Sequence, residues 1–165
     1  KGASPEQIIM LDNQLCLWSD LLKQNTGKDI TQLKHGGAAG GITAAMYALL
    51  NAQLISGSEY CLTLSRFHDN LLQAGVVITG EGKIDLQSFY GKIPGTVANL
   101  CQKHNVPVYA VVGLAEKQVL TRFDKVFIMS QYTRSIQDSI KNAPHYLKII
   151  SQAIVDTLYL SAYSD

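Results

Sequence analysis

The sequence has 165 residues, of which 47% are hydrophobic and only 16% are charged. This length fits one ordinary domain, or one domain and part of another, and the apolar content is sufficient for a packed core. The net charge is +1, from 14 basic and 13 acidic residues. Without a dense block of Lys and Arg, nucleic-acid binding is not expected, and no apolar run reaches the ~20 residues that cross a bilayer.

Three cysteines are spread widely along the chain, at Cys16, Cys61 and Cys101. They have neither the CxxC nor the Cys/His spacing of a metal site. Such cysteines are typical of reduced, buried thiols, and we expect a cytoplasmic protein. The opening KGASPEQ lacks an initial Met and resembles the interior of a longer gene product.

The first third of the sequence predicts two helices joined by a polar connection. Ser4-Pro5-Glu6-Gln7 contains the residues of a capping box, and apolar residues then recur at helical spacing until about Gly27. Residues 28–37 are polar, and residues 43–54 are mostly small or apolar helix formers. A helix that is apolar on nearly every side is usually buried, so we expect the second helix to be covered.

From residue 60 onward, strands and helices are predicted to alternate. Residues 76–79 and 106–113 are continuous apolar runs rich in β-branched residues, the pattern of strands buried on both faces of a parallel sheet. The alternation predicts an α/β fold with a parallel sheet and flanking helices. The other predicted elements are strands at 60–64 and 125–129, and helices at 65–74, 91–104, 117–122, 135–141 and from about 143 toward Tyr163.

The densest polar cluster is Thr79-Gly80-Glu81-Gly82-Lys83-Ile84-Asp85, directly after the strand at 76–79. Ligands of parallel sheets bind beyond the carboxyl ends of the strands, so a site is expected here. The two carboxylates suit Mg²⁺. Lys83, and Lys92 at the start of a predicted helix, are suited to neutralise a phosphoryl group.

A second glycine-rich segment, His35-Gly36-Gly37-Ala38-Ala39-Gly40-Gly41, precedes the helix of small residues. With so few side chains, its backbone N–H groups are available to an anion at the helix start. His35 is interpreted as a polar loop residue, because no other His or Cys lies at metal-ligand spacing from it.

Each segment also has a plainer interpretation. TGEGKID fits a tight turn between strand and helix with exposed charges, and the glycines near residue 40 fit close packing of the helix that follows. The first segment is not a Walker A loop, because Gly91-Lys92 is followed by Ile93 rather than by Ser or Thr.

VVITGEGKIDLQSFYGKIPGTVA, residues 76–98, resembles the signature of the bacterial ATP-dependent glycerate kinases of the glycerate 2-kinase type. KGASPEQIIMLDNQL, GGAAGGITAAMYALLNAQL and SRFHDNLLQAG resemble three further blocks of that family, in the same order. Several ordered blocks make the resemblance specific over residues 1–115. The chain is therefore similar to the C-terminal part of such a kinase.

The resemblance implies a kinase that transfers the ATP γ-phosphate to D-glycerate with Mg²⁺, giving phosphoglycerate, mostly the 2-phosphate. It also implies an active site between two α/β domains. Residues 1–58 would be a helical, glycine-loop segment from the second lobe or the inter-lobe region, and residues 59–165 a Rossmann-like lobe. The implied partners are glycerate or a related hydroxy acid and a missing N-terminal segment. The charged fraction, below the ~25% of typical domains, adds a homodimer to these expectations.

The resemblance also assigns roles to residues of both segments. Lys83, Asp85 and Lys92 would be catalytic, and Glu81 and Asp85 would hold Mg²⁺. The predicted substrate- and phosphate-binding residues are Gly36, Gly37, Gly40, Gly41, Thr79, Gly80, Glu81, Gly82, Gln87 and Ser88.

Some positions depart from the family pattern. Lys83 stands where the family has Arg, and Thr43 replaces a common glycine. Two other interpretations stay open: a non-catalytic ligand-binding or regulatory domain derived from the kinase, and a kinase of a related hydroxy acid.

Overall fold

The computed structural model describes residues 2–162, without the side chains of residues 161 and 162. The predicted approach of the last helix to Tyr163 therefore lies outside the described residues. The chain forms two compact units, Lys1–Ser56 and Gly57–Asp165. The assignment of residues 1–58 and 59–165 to different lobes stays a prediction. None of the helices in the described residues combines the length and the hydrophobicity that a membrane span needs.

The first unit begins with helix α1, which spans Pro5–Thr26. The predicted capping box is present: the Gln7 N–H donates to Ser4 Oγ at 3.3 Å, and the Ser4 N–H donates to Gln7 Oε1 at 2.8 Å. Gly27 ends the helix in a left-handed conformation with φ 74°, as expected for a glycine cap.

Helix α2 spans Ile42–Leu50 and follows a short 3₁₀ turn at Ala38–Gly41. It is shorter than predicted, because Asn51 adopts φ 55° and ends it. The expectation that α2 is covered is wrong for much of its surface in this chain: it buries small residues, while its larger ones are exposed. Its buried residues are Ala44 and Ala48, and the exposed ones include Ile42, Met46, Leu49 and Leu50.

The second unit contains a three-stranded parallel sheet with the strand order β1-β2-β3. The strands are β1 (Val77–Ile84), β2 (Val108–Ala115) and β3 (Lys125–Ile128). The flanking helices are α3 (Gly57–Leu64), α4 (Phe67–Leu71), α5 (Ile93–His104), α6 (Ile136–Lys141) and α7 (Ala143–Ala162), with 3₁₀ turns at Leu86–Phe89, Lys117–Arg122 and Met129–Gln131. This arrangement confirms the predicted α/β class, a parallel sheet flanked by helices.

Apolar side chains of β2 enter a core on each face of the sheet. Val108, Ala110 and Val112 pack in a core that also contains residues of α5, whereas Tyr109 packs in a second core with residues of α7. A strand covered on both faces has no reason to alternate with polar residues, which explains its continuous apolar run.

Residues 60–64 lie in helix α3 and not in the predicted strand. Ser58 and Leu62 are the buried residues of α3, four positions apart, and therefore lie on one helical face. A short apolar run does not distinguish helix from strand by its period alone. The described residues therefore contain three strands where four were predicted. The helix predicted at 65–74 is reduced to α4, because Arg66, at φ 53°, separates it from α3.

The cysteines are all free thiols, but only one of them is buried. Cys101 lies on the buried face of α5, where burial raises the pKa of its thiol to about 11. Cys16 and Cys61 are exposed, so the expectation of burial is wrong for them.

Most of the charged segment that was predicted as a turn belongs to β1. Pairing with β2 continues from Val77–Val108 to Ile84–Ala115, well beyond the predicted end at Thr79. The turn begins at Asp85, which precedes the 3₁₀ turn at Leu86–Phe89. Glycines weaken strands, yet here Gly80 is paired with Val111 of the partner strand, and pairing resumes at Lys83 after Gly82.

The pairing of β1 with β2 skips Gly82 and Gly113, and both strands change face there. Ile84 packs in the same core as Val77, and Ala115 packs in the same core as Val112. The members of each pair are an odd number of residues apart, so regular alternation would place them on opposite faces. A Cβ atom on Gly113 would lie 2.4 Å from the Gly82 carbonyl oxygen, so only glycine fits where the two strands approach so closely.

We expect Gly113→Ala to destabilise the protein by about 2 kcal/mol or more, because backbone atoms of β1 would have to move away from the new methyl group. Urea unfolding measures the loss. Gly75→Ala is the matched control, since its Cβ would meet no atom within 4 Å. Its change should stay within about 0.5 kcal/mol. Equal effects of the two substitutions would contradict the close approach of the strands.

Candidate active site

Glu81 is the centre of one half of the candidate site. Its Oε2 accepts a hydrogen bond from Ser88 Oγ at 2.7 Å, and its Oε1 lies 3.1 Å from Lys92 Nζ. Ser88 is fully buried in the turn after β1, and Lys92 directly precedes α5. A buried hydroxyl and a half-exposed ammonium therefore orient the carboxylate together.

Lys83 is the centre of the other half, with two carboxylates around it. Its Nζ lies 3.0 Å from Glu116 Oε1 and 3.3 Å from Asp85 Oδ2. Glu116 is the residue directly after β2 and is also bound by Gln118 Nε2, at 2.9 Å. Lys83 therefore connects the end of β1 to the end of β2.

The two halves are joined through the buried hydroxyl of Ser88. The Asp85 N–H donates to Ser88 Oγ at 3.2 Å, while the same oxygen donates its proton to Glu81. The Ser88 N–H donates to the Asp85 carbonyl at 3.0 Å. Because one oxygen both accepts and donates, Ser88 fixes the spacing of the two acidic residues.

Lys83, Asp85 and Glu116 have pKa values that are shifted in the directions that favour ion pairs. Hydrogen bonds to Glu116 and then to Asp85 raise the pKa of Lys83, and Lys83 in turn lowers the pKa of Glu116. Burial alone would raise the pKa of Asp85. The hydrogen bond and charge of Lys83, the charge of Lys92 and a hydrogen bond from the Gln87 backbone together outweigh it, so the pKa lies below its ordinary value. All three groups are therefore charged at neutral pH.

Asp85 has one oxygen that the protein does not satisfy. Its Oδ1 is buried and has no hydrogen-bond partner among residues 2–162. A buried carboxylate oxygen without a partner is uncommon and calls for an explanation, such as a bound ion. No group of three or more His, Cys, Asp and Glu in the described part of the chain is arranged to hold a metal. A cation here would need other ligands besides the protein.

The remaining predicted residues of this segment lie along β1 and the following turn. Thr79, Gly80, Glu81 and Gly82 line a cleft of about 780 Å³ between the sheet and helices α6 and α7. Its other walls are mostly apolar, and its serines, Ser139 and Ser151, already donate hydrogen bonds to carbonyls of their own helices. Gln87 is exposed in the turn beside Ser88. The polar chemistry is therefore concentrated in the network of Glu81, Lys83, Asp85 and Lys92.

The glycine-rich segment of the first unit forms a left-handed turn before α2. His35, Ala39, Gly40 and Gly41 all have positive φ angles, and Thr43 Oγ1 lies 2.8 Å from the His35 carbonyl oxygen. Gly41 offers no side chain to cap α2, so no side chain at the N-cap position binds the first N–H groups of that helix. Gly36, Gly37 and Gly41 line a cavity of about 420 Å³ together with residues of α1, among them Leu15, Trp18 and Asp20.

Sequence reasoning missed Glu116, which is the nearest partner of Lys83. The available signal was its position: it is the first residue after the strand that neighbours β1. Carboxyl ends of parallel strands meet at one edge of a sheet, so an acidic residue there is a candidate for the same site. It was overlooked because Glu116 and Lys117 form no recognisable motif, and nothing in the local sequence links them to residues 79–85.

Comparisons with known proteins assign the family. A model of the glycerate kinase family matches residues 1–159. The chain belongs to the glycerate kinase family. Escherichia coli K12 glycerate 2-kinase is 41% identical over 113 residues, 68% of this chain and 30% of that protein. A Haemophilus influenzae glycerate kinase is 33% identical over 162 residues, 96% of this chain and 43% of the relative.

A solved structure supports the same family assignment. The crystal structure of a protein assigned as glycerate kinase 2 from Salmonella typhimurium LT2 superposes with a TM-score of 0.63 at 35% sequence identity. The match covers 98% of this chain and 42% of that chain. This glycerate kinase family member therefore spans less than half the length of the relatives that it matches.

We expect Ser88→Ala to destabilise the protein by roughly 1–3 kcal/mol, because the partly buried Asp85 N–H loses its acceptor and Glu81 loses its buried donor. Denaturant unfolding measures this loss. Ser151→Ala is the control, since that exposed hydroxyl donates only along its own helix. Its effect should stay below about 0.5 kcal/mol. A Ser88 variant as stable as the control would rule out the proposed link between the two acidic residues.

Proposed function

We propose that this chain is part of a glycerate kinase that transfers the γ-phosphate of ATP to D-glycerate. The product is phosphoglycerate, mainly the 2-phosphate. Family membership supports the reaction class. The observation that carries the proposal is the network at the end of β1, where ion pairs and buried Ser88 connect Lys83, Lys92 and the two acidic residues of the family signature.

Mg²⁺ fits the acidic residues of this network. Asp85 has an unsatisfied buried oxygen, and Glu81 is partly exposed and held in a defined orientation. Mg²⁺ is commonly held by one or two carboxylates, with water and phosphate oxygens as its other ligands. When bound, it would neutralise charge on the phosphates of the nucleotide. We propose Glu81 and Asp85 as its protein ligands, directly or through water.

The two lysines are proposed to stabilise the phosphoryl group during transfer. Phosphoryl transfer needs positioning and charge stabilisation more than covalent chemistry from the protein. Lys92 is well located for this task because it precedes α5, whose first N–H groups and dipole also favour an anion. Lys83 adds a second positive charge. Thr79, Gly80, Gly82 and Gln87 are proposed to contact substrate or phosphate beside them.

The glycine-rich turn before α2 is proposed as a second phosphate- or substrate-binding element. Gly36, Gly37, Gly40 and Gly41 leave its backbone accessible, and the first N–H groups of α2 have no side-chain cap. Its role requires that it meets the Glu81 network in the working enzyme, which is part of the proposal.

The proposed enzyme also includes a further segment of polypeptide that precedes this chain. The relatives are more than twice as long as this chain, so we propose that a preceding segment contributes to the site and covers exposed apolar residues of α1 and α2. We further propose a cytoplasmic location and a homodimer. Either the segment or a second subunit would cover part of the surface and so account for the low fraction of charged residues.

Transfer of phosphate from ATP and Mg²⁺ to D-glycerate, followed by phosphorus NMR, tests the reaction in the full product of the gene. Phosphoglycerate is the expected result. Failure of a folded, nucleotide-binding protein to transfer phosphate would overturn the kinase proposal and favour a regulatory domain or a kinase of another hydroxy acid.

Lys92→Met tests the site in the same protein. We expect kcat/KM to fall by roughly 10²–10³-fold, because a charge aimed at the phosphoryl group is lost. Stability should fall by less than about 1 kcal/mol, since the Lys92–Glu81 pair is partly exposed. Lys103→Met, at an exposed position in the last turn of α5, is the control and should keep normal turnover. Full activity of the Lys92 variant would exclude Lys92 from the site.

A further inference from the structure

Lys83 is shared between two carboxylates, and they hold it unequally. Its Nζ makes a hydrogen bond to Glu116 Oε1 at 3.0 Å, whereas Asp85 Oδ2 lies farther away, at 3.3 Å. The side chains of Lys83 and Glu116 are 53% and 39% exposed, but that of Asp85 is only 19% exposed. The Lys83 ammonium thus lies near the surface between two carboxylates, and Asp85 is the less exposed of them.

Glu116 is anchored independently of Lys83. Its N–H donates to the Ile84 carbonyl at 3.0 Å, which ties the end of β2 to the end of β1. Its second carboxylate oxygen accepts a hydrogen bond from Gln118 at 2.9 Å. The position of Glu116 is thus set by the sheet and by its neighbour, so it would remain in place if Lys83 left Asp85.

A cation bound at Asp85 would conflict with Lys83. The unsatisfied Oδ1 of Asp85 offers a binding position, but the ammonium of Lys83 already occupies the space beside Oδ2. Two positive charges on one carboxylate repel each other strongly in a partly desolvated site. Lys83 must then have another partner to which it can withdraw.

We propose that Glu116 is a positioning residue that holds Lys83 when Asp85 binds a divalent cation. This role rests on the proposed function, because it assumes that Asp85 is a ligand of Mg²⁺. Glu116 keeps the ammonium near the phosphates and prevents it from competing for Asp85. Glutamine at this position would leave Lys83 with Asp85 as its only carboxylate partner in the group.

Cation binding tests the proposal without measuring turnover. The probe is Mn²⁺ with ATP, added to the full product of the gene and followed by paramagnetic broadening of amide signals near Asp85. We expect Glu116→Gln to weaken Mn²⁺ binding by roughly threefold to fivefold, the range of a partly exposed ion pair. Asp156→Asn, at an exposed acidic position on α7, controls for the loss of one negative charge and should bind Mn²⁺ normally.

A double-mutant cycle separates positioning from other roles of Glu116. In the Lys83→Met background there is no ammonium to withdraw, so adding Glu116→Gln should leave Mn²⁺ binding unchanged. A further weakening in that background would mean that Glu116 acts on the cation directly, which overturns the proposal. Unchanged binding by the single Glu116→Gln variant would also overturn it, while the proposed kinase function would stand. Absence of Mn²⁺ broadening near Asp85 in the wild type would overturn both the cation site and the role of Glu116.

Discussion

The parallel pairing of β1 with β2 is the constraint on which the candidate site depends. It carries β1 through a segment with two glycines and two charged residues that would otherwise favour a loop. At Gly82 and Gly113, where the two strands approach each other most closely, both strands change face while keeping their register. As a result Ile84 is buried in the core, and Asp85, the next residue, begins the turn that contains Ser88. Substitutions at Gly82 or Gly113 therefore affect the fold and the site together.

The site concentrates charge without leaving its ammonium groups unpaired. Each lysine has a carboxylate within about 3 Å, and the buried hydroxyl of Ser88 connects the two acidic residues. Because partly exposed ion pairs contribute little to stability, such a network can be rearranged by a ligand at small energetic cost. Oδ1 of Asp85 is the exception, being buried and unsatisfied. Because little free energy is lost when these ion pairs separate, the charged groups are well suited to exchange their partners for phosphates and a cation.

The sequence was sufficient for the overall class but not for the details that depend on partner strands. The α/β class, the caps of α1 and the start of α5 after Lys92 all follow from local patterns. The strand at 60–64 was wrong, because the apolar run is short and Leu62 is buried by packing against other helices. The end of β1 was also wrong, since glycines suggest a turn unless the partner strand is known. Glu116 was missed for the same reason: its proximity to Lys83 exists only in the assembled sheet.

The change of face at Gly82 also separates polar from apolar surfaces. Up to this point in β1, Gly80 and Gly82 line the apolar cleft beside α6 and α7. The Glu81 carboxylate instead reaches Ser88 and Lys92 at the start of α5. A regular strand would place residue 84 on the same side as residues 80 and 82, in that cleft. Instead Ile84 joins the core beneath α5, which anchors the strand just before the turn. Glu81, before Ile84 in the sequence, and Asp85, after it, are thus attached to a firmly packed segment of the strand. A site that works by positioning requires such support.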